Sequence, residues 1–551
     1  MIRDFREICK RKVFKGVFYN ERLKIPVLKD TDTRKLQKRF ILAQNRKQDF
    51  SSNFPLYSFQ FRRMLFCDPI YFLVLLPLTA LIYWRVIAKG KFHLAVPVLL
   101  VGSTIFYCTW NWRFYFLLLL SALVNYRIGR ILLTGAGSRE PGAGSREPGA
   151  GSREPGVKGK GSKAWLWVGL LFNLGLLGYF KYAGFFLDNC NALFGTHWNV
   201  GRIILPLGIS FYTFQQIAYL VDAYRQEVPL CSFPKYLLFV TFFPQLVAGP
   251  IVHYKEMIPQ FGAQRTVAWD SMYRGLWVFA FGLFKKVVLA DTLAPYVDKC
   301  WSNVEQLQFL GAWMTVLGYT LQLYFDFSGY ADMAIGSGLI FGIRLPENFN
   351  SPYQASNIQD FWRRWHMTLS AWLKDYVYIP LGGSRCPLPR TCVNLFLTFL
   401  IGGIWHGANW TFVIWGALHG FAIVLHRLWH KTNHRLNAFA AWLLTFTFVN
   451  FAWIFFRAPS LKEAWMMVKK AIGIGINVSN LVPIIKNPVQ FGTYVVLFSI
   501  IVLLCRNTSR SSRRFYEHPH LLKSFFFILF IVGISYWGFY HKSSEFLYWN
   551  F

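Results

Sequence analysis

Long, nearly charge-free apolar segments dominate this sequence and restrict the folds it can adopt. A helix needs about 20 apolar residues to cross the hydrocarbon core of a bilayer. With 54% hydrophobic and 15% charged residues, the chain is too apolar for an ordinary soluble enzyme. The apolar residues form blocks at 70–86, 94–107, 114–133, 165–186, 273–290, 309–325, 393–428, 438–456, 494–504 and 524–540. The blocks predict an all-α polytopic membrane protein with roughly ten to twelve transmembrane helices, together with interfacial and re-entrant helices.

The charge of the chain is strongly positive, with 59 Lys and Arg against 26 Asp and Glu. In a soluble protein, this excess would suggest a nucleic-acid partner. Here the basic residues lie in the loops between apolar blocks, where the preference of Lys and Arg for the cytoplasmic side of a membrane explains them. We therefore expect the lipid bilayer to surround this protein and expect no nucleic-acid partner.

A short repeat interrupts the apolar blocks. Residues 135–155 read GAGSREP three times in succession. A segment so rich in Gly and Pro can neither hold a helix nor pack a core, so the sequence predicts a flexible linker at 135–163.

The first 63 residues form a polar tail with 17 Lys or Arg and 6 Asp or Glu. Basic residues flank both sides of the first apolar block, at 62–63 and at 85–91. The positive-inside rule cannot place both flanks in the cytoplasm. We therefore predict that the working protein begins at or near Met64, that the tail 1–63 is dispensable and that residues 64–551 form one membrane domain.

His406 lies inside the apolar block 393–428. His406 is part of LIGGIWHGAN (400–409) and is surrounded by glycines. An ionisable side chain at membrane depth is costly and usually functional, although a neighbouring helix can also satisfy it. The block 393–428 is too long for one span, so we expect a helix break at 407–409, where glycine permits irregular backbone.

A second histidine lies in an amphipathic segment. Residues 356–373 predict one helix with Asn357 as its N-cap, because apolar side chains recur at helical spacing. The charges on the opposite face favour a position at the membrane interface or against the helix bundle. His366 falls on the border between the two faces. There it could contact both an acyl chain and a polar group, or simply bond to the backbone.

Two further patterns have a functional and a structural interpretation. Asp326, among aromatic and small residues, could orient a histidine, but it could equally cap a helix or pair with a cation. His426, His430 and His434 have the i, i+4 spacing of metal ligands. They lie at the basic end of an apolar block and no carboxylate or Cys completes the set, so we predict no metal site.

Several segments together resemble the membrane-bound O-acyltransferase family, and most closely its bacterial branch, the membrane subunits of alginate and related polysaccharide O-acetylation systems. The resemblance covers residues 64–551. It rests on NWRF (111–114), LPLGISFYTFQ (205–215), FPQLVAGP (243–250), QLYFDFSGYADM (322–333), PENFN (346–350), FWRRWHMTLS (361–370), LGG (381–383), IWHGAN (404–409) and FLYWNF (546–551). It implies a ring of membrane helices around a thinned centre, where a tunnel brings donor and acceptor together.

The resemblance also implies roles for individual residues. His406 would be the principal catalytic residue, acting as general base on the acceptor hydroxyl. His366 would be a second acid/base or a positioning group. Four residues are weaker candidates for substrate binding, with the two arginines facing phosphates of the donor: Arg363, Arg364, Asp326 and Asn409.

The expected donor is acetyl-CoA, used as a substrate, with no bound cofactor. The expected partner is an extracytoplasmic SGNH-type acetyltransferase or a polymer-synthesis complex, and the expected location is the bacterial inner membrane. Two alternatives remain open. One is D-alanyl transfer to teichoic acid, and the other is a transporter or flippase in which His406 would relay protons, although the sequence shows no internal repeat typical of transporters.

Overall fold

The structure is a computed structural model that describes most of the apolar domain. It describes residues 64–134, 162–201, 203–247, 249–261, 267, 269–432, 434–474 and 487–505, with the single positions 507, 508, 527, 530, 531, 533, 534, 544 and 547. All of these residues belong to one compact unit, 62–551. The tail 1–63 and all but the last two residues of the linker 135–163 lie outside the described residues, so both stay predictions.

Helices make up the regular structure of the described residues, which contain no β-strand. The first are α1 (Leu76–Ala88), α2 (Ala95–Thr134), α3 (Lys163–Leu177), α4 (Ala183–Phe194), α5 (Ile209–Tyr224), α6 (Phe233–Thr241), α7 (Tyr254–Met257), α8 (Trp269–Phe284) and α9 (Asp291–Trp301). They are followed by α10 (Phe309–Ile340), α11 (Ile358–Arg364), α12 (Met367–Leu373), α13 (Leu388–His406), α14 (Trp410–Trp429), α15 (Ala438–Arg457), α16 (Leu461–Ala471) and α17 (Pro488–Leu504). The all-α prediction is confirmed.

Six segments of the described residues are long and apolar enough to cross a membrane. They are Ile70–Ala88, Phe92–Thr134, Lys163–Phe194, Leu388–His406, Trp410–Trp429 and Ala438–Arg457. The protein is therefore a multi-pass membrane protein, as expected. The other apolar blocks correspond to α8–α10, which bury charged side chains, to the 17-residue α17, and to residues mostly outside the described part.

Helices α13 and α14 form a hairpin that positions His406. The helix break follows His406 directly, as predicted for a block too long for one span. Asn409 is the N-cap of α14, and its side chain accepts a backbone hydrogen bond at 3.0 Å. Gly403 and Gly416 bring the two backbones into contact, because a Cβ on Gly403 would lie only 2.7 Å from the Cα of Gly416.

The helix predicted across 356–373 is wrong in one respect, because the segment forms two short helices, α11 and α12, instead of one. The predicted N-cap is confirmed, since the Asn357 side chain accepts a hydrogen bond from the backbone amide of Asp360 at 2.8 Å. The break lies at His366, whose φ of 44° and ψ of 54° are left-handed.

The loop at 348–350 hydrogen-bonds to the backbone on both sides of this helix break. The Asn350 amide donates to the Arg364 carbonyl at 2.9 Å, and the Met367 amide donates to the Asn348 carbonyl at 3.0 Å. These bonds end α11 and start α12, in place of the intrahelical bonds of a continuous helix. Apolar periodicity reports only local structure, so it could not reveal a contact with a loop from another part of the chain.

Candidate active site

His406 lies at the end of α13 in a box of aromatic rings. Its imidazole is only 3% exposed. Its ring centroid lies 5.0 Å from Trp415, 5.1 Å from Phe456 and 5.0 Å from the preceding Trp405. The first two rings stand nearly perpendicular to the imidazole, at 89° and 74°. This box removes the histidine from bulk water and restricts the directions from which a reactant can approach.

His366 also lies near Trp405. Its ring centroid is 6.5 Å from that of Trp405 and 4.8 Å from that of Phe327 on α10. Its Nδ1 is 3.1 Å from Oδ1 of Asn348. The structure therefore brings the two predicted histidines, which are 40 positions apart in the sequence, to the same indole ring.

Burial controls the protonation of His366. The side chain is fully buried, and burial disfavours the charged imidazolium. Its pKa is lowered from the ordinary value to about 3. His366, which lies outside the six spans, is therefore neutral at physiological pH, with a proton on one ring nitrogen and a lone pair on the other.

Lys181, which was not among the sequence candidates, caps the helix that ends in His406. Its ammonium donates to the carbonyl of Trp405 at 2.6 Å, to that of His406 at 3.0 Å and to the Ser210 hydroxyl at 3.2 Å. Carbonyls at a helix C-terminus carry partial negative charge, so a cation is stabilising there. The signal was present in the sequence, because Lys181 is an ionisable residue inside the apolar block 165–186.

A third buried histidine, also missed, lies farther along α14. The indole N–H of Trp362 donates to Nδ1 of His419 at 3.2 Å. The His419 ring centroid is 4.8 Å from that of Trp415, which also contacts His406. His419 stands inside an apolar block as His406 does, so the same argument would have found it.

A basic cleft of about 500 Å³ opens beside Trp362. Its positively charged lining residues are Arg363, Lys374 and Arg427, and His426 lines it too. Along α14, the residues 415, 419, 423 and 427 are spaced four apart and share one helix face. That face runs from the His406 box at Trp415 to the cleft at Arg427.

Comparison with known proteins agrees with this geometry. The family model described as MBOAT, membrane-bound O-acyltransferase family, matches residues 223–468. A peptidoglycan O-acetyltransferase of Helicobacter pylori is 43% identical over 452 residues, which cover 76% of this chain and 82% of the relative. The chain belongs to the membrane-bound O-acyltransferase family.

Other relatives have related activities. A probable alginate O-acetylase of Pseudomonas aeruginosa is 39% identical over 83% of both chains. A teichoic acid D-alanyltransferase of Bacillus subtilis is 30% identical over 46% of this chain and 69% of the relative. As a member of the membrane-bound O-acyltransferase family, this protein is an O-acyltransferase.

Arg363 and Arg364, which the resemblance to membrane-bound O-acyltransferases gave the same role, have different surroundings in the structure. Arg363 lines the basic cleft. Arg364 instead pairs with Asp360 through a 2.9 Å contact one helical turn away. Of these two arginines, Arg363 is therefore the one that lines the cleft.

Asp326 lies in a buried ion network. Its carboxylate is 2.7 Å from Nζ of Lys286, which also bonds to Asp291 at 2.8 Å. The second oxygen of Asp326 accepts from the backbone amide of Leu547 at 2.9 Å. Its partners are thus a lysine and the backbone, and neither catalytic histidine candidate is bonded to it.

The remaining candidates have structural contacts. Besides capping α14, Asn409 donates through Nδ2 to the Pro459 carbonyl at 2.9 Å. His434 contacts the Thr432 carbonyl through Nδ1 at 2.9 Å. Within the described part of the chain, no three His, Cys, Asp or Glu side chains form a group that could hold a metal ion.

Proposed function

We propose that this protein transfers acetyl groups from cytoplasmic acetyl-CoA, across the bacterial inner membrane, to hydroxyls of an extracytoplasmic polysaccharide. The observation that carries the proposal is the pair of buried histidines, His406 and His366, whose rings both lie near the ring of Trp405. Two imidazoles in a water-poor site suit a reaction that removes one proton and delivers another. The names of the relatives supply the acetyl group and the glycan class.

His406 acts as the general base. It takes the proton of the acceptor hydroxyl while that oxygen attacks the thioester carbonyl of the donor. The tetrahedral intermediate then breaks its C–S bond, and the leaving CoA thiolate receives a proton, so that the products are an acetyl ester and free CoA. His366 is the second acid/base or positioning group beside the same reacting atoms.

The basic cleft receives the donor. Phosphate groups of CoA fit the cationic side chains of Arg363, Lys374 and Arg427, because charge-assisted hydrogen bonds to phosphate are strong. The common face of α14 then leads the thioester arm towards His406. Polar candidates outside the cleft, such as Arg364, are not needed for this step.

The acceptor side involves a partner. We infer that an SGNH-type acetyltransferase or a polymer-synthesis complex takes the acetyl group at the extracytoplasmic face and completes its transfer to the glycan. A glycan acceptor is supported by two relatives that are named for different polymers, one for alginate and one for peptidoglycan. The acceptor class is therefore a cell-envelope glycan bearing free hydroxyls.

The alternative of D-alanyl transfer has a specific observation behind it, the match to a teichoic acid D-alanyltransferase. That match covers 46% of this chain, whereas the O-acetylation relatives cover 75% to 83% of it at 36% to 43% identity. O-acetylation is therefore favoured. A transporter without acyl chemistry is not supported by the family membership.

The decisive experiment uses the purified protein in proteoliposomes with radiolabelled acetyl-CoA on the cleft side and a soluble glycan on the other. We expect label on the glycan, or on an added SGNH partner, and release of free CoA. His406→Gln should abolish both, while His430→Gln, a matched change on the same hairpin, should abolish neither. Transfer from a D-alanyl carrier-protein thioester but not from acetyl-CoA would overturn the proposal.

A further inference from the structure

We propose that Asn348 is a positioning residue that selects one tautomer of His366, with the proton on Nδ1 and the lone pair on Nε2. This inference rests on the proposed function for its consequence, but its geometry is independent of it. Asn348 comes from the loop between α10 and α11 and contacts His366 from outside the helix that contains it. It belongs to PENFN (346–350), one of the segments that carry the family resemblance, but no role of its own was predicted for it from the sequence.

The orientation of the Asn348 amide follows from its other partner. The backbone N–H of Thr368, which can only donate, lies 3.3 Å from Oδ1 of Asn348. The Thr368 hydroxyl accepts from the Ile251 amide at 3.0 Å and donates to the same Oδ1 at 2.9 Å. The atom facing Thr368 must therefore be the amide oxygen and not the amide nitrogen.

The tautomer of His366 follows in turn. Because Oδ1 is an acceptor, the Nδ1 of His366 at 3.1 Å must be the donor. In a neutral imidazole, the other nitrogen, Nε2, then carries the lone pair. The opposite arrangement would place the NH₂ group of Asn348 against the N–H of Thr368, so that two donors would face each other with no acceptor between them.

The same amide makes the N-capping bond of α12 in place of the His366 side chain. His366 occupies the N-cap position of α12, but its side chain makes no capping bond. Asn348 supplies the cap instead, since its Oδ1 accepts from the backbone of Thr368, the second residue of the helix. The direction of the His366 imidazole is thus fixed by a residue 18 positions away, which also supplies the capping bond.

This arrangement defines what His366 can do. The hydrogen-bond partner of one ring nitrogen of a histidine fixes the role of the other nitrogen. With the proton held at Nδ1, Nε2 can accept a proton from a reacting group beside Trp405. A residue acting in this way should affect turnover more than donor affinity, because it does not touch the donor.

The direct test is the tautomer itself. The protein has 12 histidines, so solid-state NMR of protein labelled with ¹⁵N-histidine in bilayers should be compared with the same spectrum of His366→Gln. We expect the difference signal to show protonated Nδ1 and unprotonated Nε2. A protonated Nε2 in the wild type would overturn the inference, whether or not the protein transfers acetyl groups.

The second test compares variants of the amide. Asn348→Asp keeps an acceptor at the same place and should keep the tautomer. Asn348→Leu removes the acceptor, and we expect a mixture of tautomers and a fall in kcat of about tenfold to hundredfold with the donor KM unchanged.

Asn357→Ala is the matched control, because it removes the N-cap of α11 without touching a histidine. If Asn348→Leu lost activity with its tautomer unchanged, or if Asn357→Ala lost as much kcat, Asn348 would have only a structural role. Should Asn348→Leu fail to fold, the wild-type and Asn348→Asp spectra still decide the inference. An inactive wild type with the expected tautomer would count against the proposed function alone.

Discussion

The two histidines stand at opposite kinds of helix end. His406 is the last residue of α13, where free carbonyls carry partial negative charge, and the ammonium of Lys181 caps them. His366 precedes α12, where free N–H groups carry partial positive charge, and the amide oxygen of Asn348 caps one of them. Each histidine therefore lies at a helix end where a residue distant in the sequence hydrogen-bonds to the backbone.

The difference shows two ways in which a protein can satisfy irregular backbone that is buried away from water. Unsatisfied backbone groups cost several kcal/mol in a bilayer, so breaks occur only where protein groups replace water. At the C-terminal end of α13 the group that satisfies the backbone is the charged ammonium of Lys181. At the N-terminal end of α12 it is the neutral amide of Asn348. We therefore expect the His406 site to depend more strongly on electrostatics than the His366 site.

The largest effect should come from exchanging the histidines themselves. His406→Gln removes the general base and should lower acetyl transfer by about 10²–10⁴-fold. His366→Gln should lose most activity but less than His406→Gln, because it removes the second of the two groups. Initial rates in proteoliposomes, normalised to folded protein, measure both. Equal losses, or a larger loss for His366→Gln, would break the proposed division of roles.

Exchanging the charged cap should have the next largest effect. Lys181→Met leaves the carbonyls of Trp405 and His406 without their cation, and a displacement of the catalytic group of about 1 Å can cost about hundredfold in rate. Lys181→Arg keeps the charge and should recover part of kcat, with donor KM unchanged in both variants. If Lys181→Met and Lys181→Arg lost the same kcat, the charge would not be what holds His406.

The sequence indicates the two histidines of the candidate site more clearly than it indicates the residues that support them. His406 was found because an ionisable residue in an apolar block is costly, and the break after it was found from block length. Lys181 and His419 are also ionisable residues in apolar blocks, but they were not among the sequence candidates. Asn348 lies in the PENFN segment that carries the resemblance, but no local pattern predicts its role, since that role depends on a loop packing against a helix start.

The wrong prediction of one continuous helix also arises because the sequence pattern is local. The continuous helix over 356–373 was inferred from apolar spacing, which both α11 and α12 still obey in burying Phe361 and Leu369. Periodicity records which face is buried and not whether the backbone continues. Arg363 and Arg364 were likewise indistinguishable in sequence, until the structure placed one in a cleft and the other against Asp360.

A smaller effect should separate capping from substrate binding at Asn409, which caps the helix that follows His406. Ser is an equally good N-cap but lacks the amide, whereas Ala removes the cap at a cost of about 1 kcal/mol. We expect Asn409→Ser to retain most activity and Asn409→Ala to lower thermal stability with a modest loss of rate. A large loss of donor or acceptor affinity in Asn409→Ser would restore the substrate-binding role.

The smallest effect should come from the GAGSREP repeats, which precede the span Lys163–Phe194 that carries Lys181. Deleting two of the three copies about halves the segment between α2 and α3, and loop-closure free energy changes by only about 0.6 kcal/mol per twofold change in length. Because α2 and α3 pack against each other, the position of Lys181 should be set by that packing and not by the linker. Acetyl transfer and membrane-inserted protein should both stay at wild-type levels. If the deletion lowered kcat as Lys181→Met does, with insertion intact, the cap at His406 would depend on the linker, and the contrast drawn between the two helix ends would have to include it.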